Sequence, residues 1–190
     1  MAPTSSYFAP RPRRRRRTRT LLLALLAVLG ISAGSFTVAQ PAAAVTIPPR
    51  TALEEHIALV LKALMVTERA AHGVPYIYMS TKLQASARRH NVTMAYYNTM
   101  SHQLPHEPWF GTRMTQAGYT WTYAGENIGW NSVMTETGVL TLEKLMYNEV
   151  PPNDGHRLNI LSRHFLHVGV DVYFDYKHHK VWLTTDFGHP

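Results

Sequence analysis

Helices followed by strands predict an α+β fold for this chain of 190 residues. Beyond residue 50, apolar residues recur first at helical spacing, and near the C-terminus they alternate with polar ones. Residues 167–175 carry valines at every second position, Lys177–His179 suits a turn, and residues 181–187 return as a second apolar segment. This pattern predicts an antiparallel hairpin. An order of helices first and strands last is typical of helices that cover one sheet.

The N-terminus has the composition of an export signal. Seven arginines precede Thr20, and a long apolar stretch rich in small residues follows them. Small residues favour cleavage after Ala39 or after Ala44. We therefore predict a signal peptide and short linker over residues 1–44, a domain over residues 45–190, and a secreted protein without a stable membrane span after cleavage. A retained membrane anchor and twin-arginine export are the alternatives.

Charge and cysteine content narrow the function classes. The chain has 19 basic and 12 acidic residues, and seven of the basic ones are the leader arginines. The predicted domain therefore has 12 basic and 12 acidic residues, so the basic character of the chain gives no evidence for a nucleic-acid partner. The chain has no cysteine, which excludes disulfides and thiolate metal ligands.

Three helices are predicted before the aromatic-rich segment in the middle of the chain. A capping box of Thr51 and Glu54 begins the first, which ends at His72–Gly73. A similar box predicts that Thr81 caps the second helix. A proline at the first helical position and a glycine at the end predict a short third helix over about residues 108–118.

A short strand around Glu126 and a fourth helix over about residues 135–149 are predicted next. Glu149 follows Leu142 by seven residues, close to two helical turns, so it continues the apolar stripe of this helix. A carboxylate on that stripe needs a partner, because burying an unpaired charge is costly. The alternative is a glutamate of the last helical turn that points to water.

The segment after this helix brings a histidine close behind Glu149. Two prolines at positions 151 and 152 prevent the helix from continuing. Asp154 is then expected to cap a new short helix with His156 in its first turn.

The order of these features resembles the CAP superfamily, also called SCP/TAPS, which includes cysteine-rich secretory proteins, antigen 5 and plant pathogenesis-related proteins of group 1. The similarity covers roughly residues 53–188 and is greatest to the short, cysteine-free bacterial members. Two positions depart from the family pattern, with Val66 in place of an asparagine and Met146 in place of a tryptophan. The motifs that carry the resemblance are Glu68-Arg69, Ser101-His102, Gly125-Glu126-Asn127-Ile128, Gly155 to Leu161, Val168-Gly169-Val170, and Trp182 with Asp186-Phe187-Gly188.

The resemblance implies a three-layer α-β-α sandwich with a small antiparallel sheet and a cleft that holds two histidines and two acids. Carried over by motif, the histidines are His102 and His156, which are the candidate metal ligands. The acids are Glu126 and Glu149, which are the candidates for any catalytic role. Two imidazoles near carboxylates can bind Zn²⁺ or another divalent metal. The alternative is a purely structural hydrogen-bonded network of the same four groups.

Three functions are compatible with this site. We favour an extracellular binding module, monomeric, with a ligand outside the cell or in the cell envelope. A metal-assisted hydrolase of peptides or cell-envelope polymers is the second hypothesis, and a lipid carrier is the third. Whether the protein is an enzyme is left open, because no serine or cysteine nucleophile is evident.

The other histidines and the aromatic residues are weaker candidates. His106 is a candidate for the rim of the cleft, because it follows His102 by four residues. The four other histidines considered are expected at the surface, and the aromatic residues are expected to fill the core. The histidines concerned are His164, His167, His178 and His179, and the aromatic residues are Trp109, Trp121, Tyr123 and Trp130.

Overall fold

The computed structural model of the protein describes residues 4–10 and 45–190. In this part of the chain five strands form one sheet, in the order β1-β3-β5-β4-β2. All neighbouring pairs are antiparallel except β2 and β4, which are parallel. The strands are β1 (Thr4–Pro10), β2 (Tyr78–Met79), β3 (Tyr123–Asn131), β4 (His167–Asp175) and β5 (Lys180–His189).

The helices begin and end close to the predicted positions. Thr51 caps the first helix with the predicted box, in which Thr51 and Glu54 each bond the other's backbone N–H. The predicted cap of the second helix was wrong by one residue, because Ser80 accepts the bond from the backbone of Leu83 and Thr81 is already helical. The helices are α1 (Ala52–Ala71), α2 (Thr81–Tyr97), α3 (Phe110–Gln116), α4 (Glu136–Tyr147) and α5 (Gly155–Ile160).

Helices cover both faces of the sheet, which confirms the predicted three-layer arrangement. Side chains alternate along each strand, so one face of β4 and β5 packs against α1 and α4, and the other face packs against α2. The first interface is apolar and contains Ile57, Leu61, Leu142, Val168, Val170, Val172, Leu183 and Phe187. The second includes smaller clusters around α2 and α3, with Leu83, Phe110, Trp121, Met94, Ile128 and Trp182.

The predicted hairpin of β4 and β5 is present, with Asp175 opposite Lys180. The other three strands differ from the prediction. Strand β3 is nine residues long and pairs with β5 along its whole length, where only a short strand was expected. The two-residue β2 was missed because it is too short to show alternation. Strand β1 lies within the predicted leader, and the apolar stretch of that leader falls outside the described residues.

A buried arginine ties the end of α1 to the segment that follows α5. Arg69 is fully buried and donates to the carbonyl oxygens of Ile160 at 2.7 Å, Phe165 at 3.1 Å and Pro75 at 2.9 Å. Ile160 is the last residue of α5, and its carbonyl oxygen is among those that the end of a helix leaves without helical partners, so Arg69 satisfies it. Within the described ranges, no helix is long and apolar enough to cross a membrane.

Gly169 allows α2 to approach the sheet closely, and we expect its replacement to be costly. A Cβ at this position would contact the backbone of Leu83 and Gln84 in the first turn of α2. Gly169→Ala should lower the free energy of unfolding by about 1–3 kcal/mol, because helix backbone cannot move aside as a side chain can. Chemical denaturation measures this change. Tyr176→Ala, at an exposed position after the same strand, is the control and should change stability by less than about 0.5 kcal/mol. Equal losses in the two variants would contradict the close approach.

Candidate functional site

The first histidine and the first acid of the predicted site are in contact. His102 lies in the loop after α2, and Glu126 lies in the middle of β3, where it is fully buried. The Nδ1–H of His102 donates to Glu126 Oε1 at 2.8 Å. This contact orients the imidazole and directs its lone pair onto Nε2.

Arg113 supplies the positive charge that burial of Glu126 requires. This arginine of α3 is fully buried and forms a short charge-assisted hydrogen bond with Glu126 Oε2. Its Nη1 donates to the carbonyl oxygen of His102 at 2.9 Å and to that of Pro108 at 3.0 Å. One guanidinium therefore holds both the carboxylate and the loop that carries the histidine.

The pKa values of Glu126 and its cross-strand neighbour Asp186 are shifted in opposite directions. Burial would raise the pKa of Glu126, but the charges of Arg113, His90 and His102 outweigh it and hold the pKa well below its usual range. Burial raises the pKa of Asp186 well above its usual value, and the nearby charge of Glu126 raises it further, against the opposing effect of Arg113. The surroundings therefore favour the ionised form of Glu126 and the protonated form of Asp186.

Four residues of this network were missed in the sequence. His90 is fully buried on α2, its Nδ1 lies 2.9 Å from Glu107 Oε1, and its Nε2 lies 3.9 Å from Glu126 Oε1. The signal for His90 was its position on the helix. It follows the buried Leu83 by seven residues, close to two helical turns, and so lies on the same face of α2, as Glu149 follows Leu142. Asp186 stands in one of the motifs that carry the family resemblance, but that motif gave it no role in the site. No comparable local signal marks the other two, Glu107 and Arg113.

The second histidine and the second acid also form a pair. Glu149 Oε1 accepts a short hydrogen bond from the Nδ1–H of His156. Glu149 Oε2 accepts from the backbone N–H of His156 at 2.9 Å and lies 3.4 Å from the backbone nitrogen of Arg157. Glu149 therefore lies inward, as the helical phase predicted, although α4 has already ended at Tyr147.

The expected cap of α5 was wrong. Asp154 occupies the cap position, but its side chain makes no capping hydrogen bond. The carboxylate of Glu149 accepts from the first turn in its place, because the chain folds back at residues 151–153 and returns the start of α5 to the end of α4. An anionic group at a helix N-terminus satisfies its free N–H groups. Glu149 thus both positions α5 and holds the ring of His156.

Strand β3 also binds the helix that carries His156. Asn127 follows Glu126, so its side chain leaves the opposite face of the strand, toward α5. Its Nδ2 donates to the carbonyl oxygen of His156 at 3.2 Å, and its Oδ1 accepts from Asn159 at 2.8 Å. These amide bonds fasten α5 to the strand that carries Glu126.

The remaining candidates lie outside this network. His106 is exposed, His164 stacks on Tyr123 with ring centroids 4.8 Å apart, and His178 bonds Asp175 at 2.6 Å. Trp121 is buried in the core as expected, whereas Trp109, Tyr123 and Trp130 are only partly buried. Among the described residues, no three histidine or acidic side chains are grouped so that they could hold a metal ion.

Removal of the Glu149 carboxylate should destabilise the fold more than removal of Asp154. Glu149→Ala leaves two backbone N–H groups and one imidazole without their acceptor, so we expect a loss of about 1–3 kcal/mol in the free energy of unfolding. Asp154→Ala removes no hydrogen bond of its side chain and should cost less than about 0.5 kcal/mol. Denaturant titrations of the two variants measure the difference. The opposite order would return the capping role to Asp154.

Comparison with solved structures identifies bacterial proteins of the same architecture. An extracellular protein containing a SCP domain from Bacillus anthracis str. Ames is 25% identical with a TM-score of 0.61, over 75% of this chain and 45% of that one. An outer surface protein from Borrelia burgdorferi is 12% identical with a TM-score of 0.60, over 70% of this chain and 92% of that one. A cysteine-rich secretory protein from Staphylococcus aureus is 14% identical with a TM-score of 0.52, over 74% and 40%.

The chain thus spans less than half the length of the B. anthracis and S. aureus proteins. At 12% and 14% identity, the second and third similarities establish the fold alone. A search of curated protein sequences found no match. The model of the cysteine-rich secretory protein family, CAP, matches residues 63–187, which include all four residues of the two His–Glu pairs. This chain belongs to the CAP family.

Proposed function

We propose that the protein is an extracellular binding module in which His102 and His156 bind a divalent metal, most favourably Zn²⁺. The proposal is supported above all by the way in which both rings are held. In each histidine a glutamate accepts the Nδ1–H, which leaves the lone pair on Nε2. A histidine that ligates a metal almost always donates its other N–H to such an acceptor.

The residues present fit a metal at one point in particular. Nε2 of His156 is buried and has no hydrogen-bond partner, which is costly for a polar atom unless a ligand satisfies it. The two imidazoles would be the protein ligands, and Glu126 and Glu149 would orient them from outside. Two protein ligands make an open and weak site, since closed zinc sites use four. A bound metal would act as a Lewis acid toward the ligand of the module.

The charge state of Glu126 favours binding over hydrolysis. A general base works best when its pKa lies near the working pH. The Arg113 ion pair, with the nearby histidines, holds the pKa of Glu126 far below that range, so this carboxylate is a poor proton acceptor. Burial and the charge of Glu126 raise the pKa of Asp186 behind it, which favours its neutral form. The network is therefore better suited to hold His102 in place than to take part in proton transfer.

An extracellular location is supported by two observations. The arginine run followed by an apolar stretch rich in small residues is typical of an export signal. The B. anthracis protein, 25% identical over three quarters of this chain, is described as extracellular. The ligand we propose is accordingly a component of the cell envelope or of the surrounding medium.

Calorimetric titration with Zn²⁺ tests the metal site. We expect weak, reversible binding at about pH 7.5 that fades at about pH 5.5, because a protonated imidazole cannot ligate. His102→Ala and His156→Ala should each remove most of the affinity. Glu149→Gln should lower it by about 10–100-fold, since outer-shell partners of ligating histidines have effects of this size.

His178→Ala and His179→Ala are the matched controls, because they change histidines on the turn between β4 and β5. Undiminished Zn²⁺ binding in the His102→Ala/His156→Ala double variant would place the site elsewhere. A hydrolysis screen on peptides and cell-envelope polymers, with and without chelator, separates the two functions. Chelator-sensitive turnover would replace the binding module by the hydrolase.

N-terminal sequencing of exported protein tests the location. We expect the mature chain to begin at Gln40 or Val45, directly after the small residues that suit signal peptidase. Replacement of the leader arginines by glutamines should reduce export, because the positive n-region orients the signal. Recovery of exported protein that still begins at Met1 or Ala2 would contradict the cleavage.

A further inference from the structure

Two buried glutamates face each other between α1 and α4, away from both His–Glu pairs. Glu68 is 7% exposed and Glu143 is 1% exposed. Their carboxyl groups come within hydrogen-bonding reach of each other. Glu68 lies on α1, directly before the anchoring Arg69, and Glu143 lies on the face of α4 that packs against the core.

The charges around these carboxyls are too few to keep both of them ionised. In the part of the chain described, the cation that acts on Glu68 is Arg157 of α5, and the charge that acts on Glu143 is Glu68 itself. Arg157 also donates to the carbonyl oxygen of Tyr147 and lies 3.4 Å from the ring of His72. Glu126, by contrast, has Arg113 and two histidines around it.

Each carboxyl also has an oxygen without a donor. Glu68 Oε2 and Glu143 Oε1 are buried and accept no hydrogen bond from the protein. Two ionised carboxylates cannot donate to each other, whereas a carboxylic acid can donate to a carboxylate. A proton held between the two groups would therefore supply the missing donor and remove one of two like charges.

We propose that Glu68 and Glu143 share a proton and form a pH-sensitive latch between α1 and α4. With the proton in place, a hydrogen bond joins the two helices. Without the proton, two like charges repel each other in the poorly solvated interface between α1 and α4. Glu149 follows the end of α4 closely and caps α5, so the latch holds the element that delivers His156. The inference concerns the fold and does not depend on metal binding.

The direction of the pH effect follows from the protonation of the two groups. Burial raises the pKa of Glu68 to about 7, against the opposing effects of the Glu143 hydrogen bond and Arg157. Burial and the charge of Glu68 raise the pKa of Glu143 to about 8. The ordinary value is 4.5, so the folded state binds more protons than the unfolded state between about pH 4.5 and pH 8. Stability from the latch is complete below this window and is lost as the pH rises through it.

Thermal unfolding between pH 5 and pH 9 tests the latch. Glu143→Gln places a permanent amide donor opposite Glu68 without changing the shape of the side chain. We expect this variant to unfold at about the wild-type temperature at pH 5 and roughly 2–6 °C higher at pH 9. Asp171, whose pKa burial raises to about 7, contributes to the slope of both proteins and cancels in the comparison.

Glu136→Gln on the same helix is the matched control, because Glu136 is partly exposed and pairs with His56 at the surface. It should leave the wild-type slope unchanged. Infrared spectroscopy gives a second readout that does not depend on stability. A carboxylic-acid carbonyl band present at pH 6 and lost by pH 9 should be weakened in Glu68→Gln and in Glu143→Gln. Wild-type pH slopes in both variants, with no change in this band, would overturn the latch.

Discussion

The buried ion pair of Arg113 and Glu126 is the constraint on which the first half of the site depends. A carboxylate without solvent is tolerated only with a cation and hydrogen bonds, and Arg113 provides both. The same guanidinium binds the carbonyl oxygen of His102, so α3, β3 and the histidine loop are fixed together. His102 then has one orientation available, with its Nδ1–H directed at Glu126.

The second half of the site is also held by a glutamate, but this one accepts hydrogen bonds from a helix N-terminus. Glu149 accepts from the first turn of α5 and from the ring of His156. Arg69 satisfies carbonyl oxygens at and beyond the other end of α5. A helix of only six residues has little stability of its own, so it keeps its place because both ends are bound to the rest of the domain.

Buried carboxyl groups in this domain differ in charge according to the cations near them. Glu126 is ionised because Arg113 and a hydrogen bond from His102 offset its burial, whereas burial and the charge of Glu126 raise the pKa of Asp186 beside it. For Glu143 the charged neighbour among the described residues is another glutamate, so burial and that charge raise its pKa and favour its protonated form. The number of cations in contact with a buried acid therefore decides whether the acid orients a histidine or joins two helices.

Much of this arrangement could be predicted from the sequence. Period, proline and capping patterns predicted all five helices and the hairpin, because such signals depend on residues close together in the chain. The helical phase of Glu149 predicted that it lies inward, and the ordered motifs predicted the family and the two His–Glu pairs. The α+β class followed from the order of helices and strands alone.

Tertiary structure decided the rest. The pairing of Arg113 with Glu126 and the approach of Glu143 to Glu68 depend on contacts between separate elements. The replacement of Asp154 by Glu149 as the cap of α5 depends on how the chain folds back between α4 and α5. The charge state of each buried acid depends on those same contacts, because solvation and neighbouring cations are properties of the folded protein. The sequence alone determined the two histidines and two glutamates of the candidate site, because motifs and helical phase are local. Only the packing of helices on the sheet determined which further residues surround them and which acids carry charge, because those contacts exist only in the folded protein.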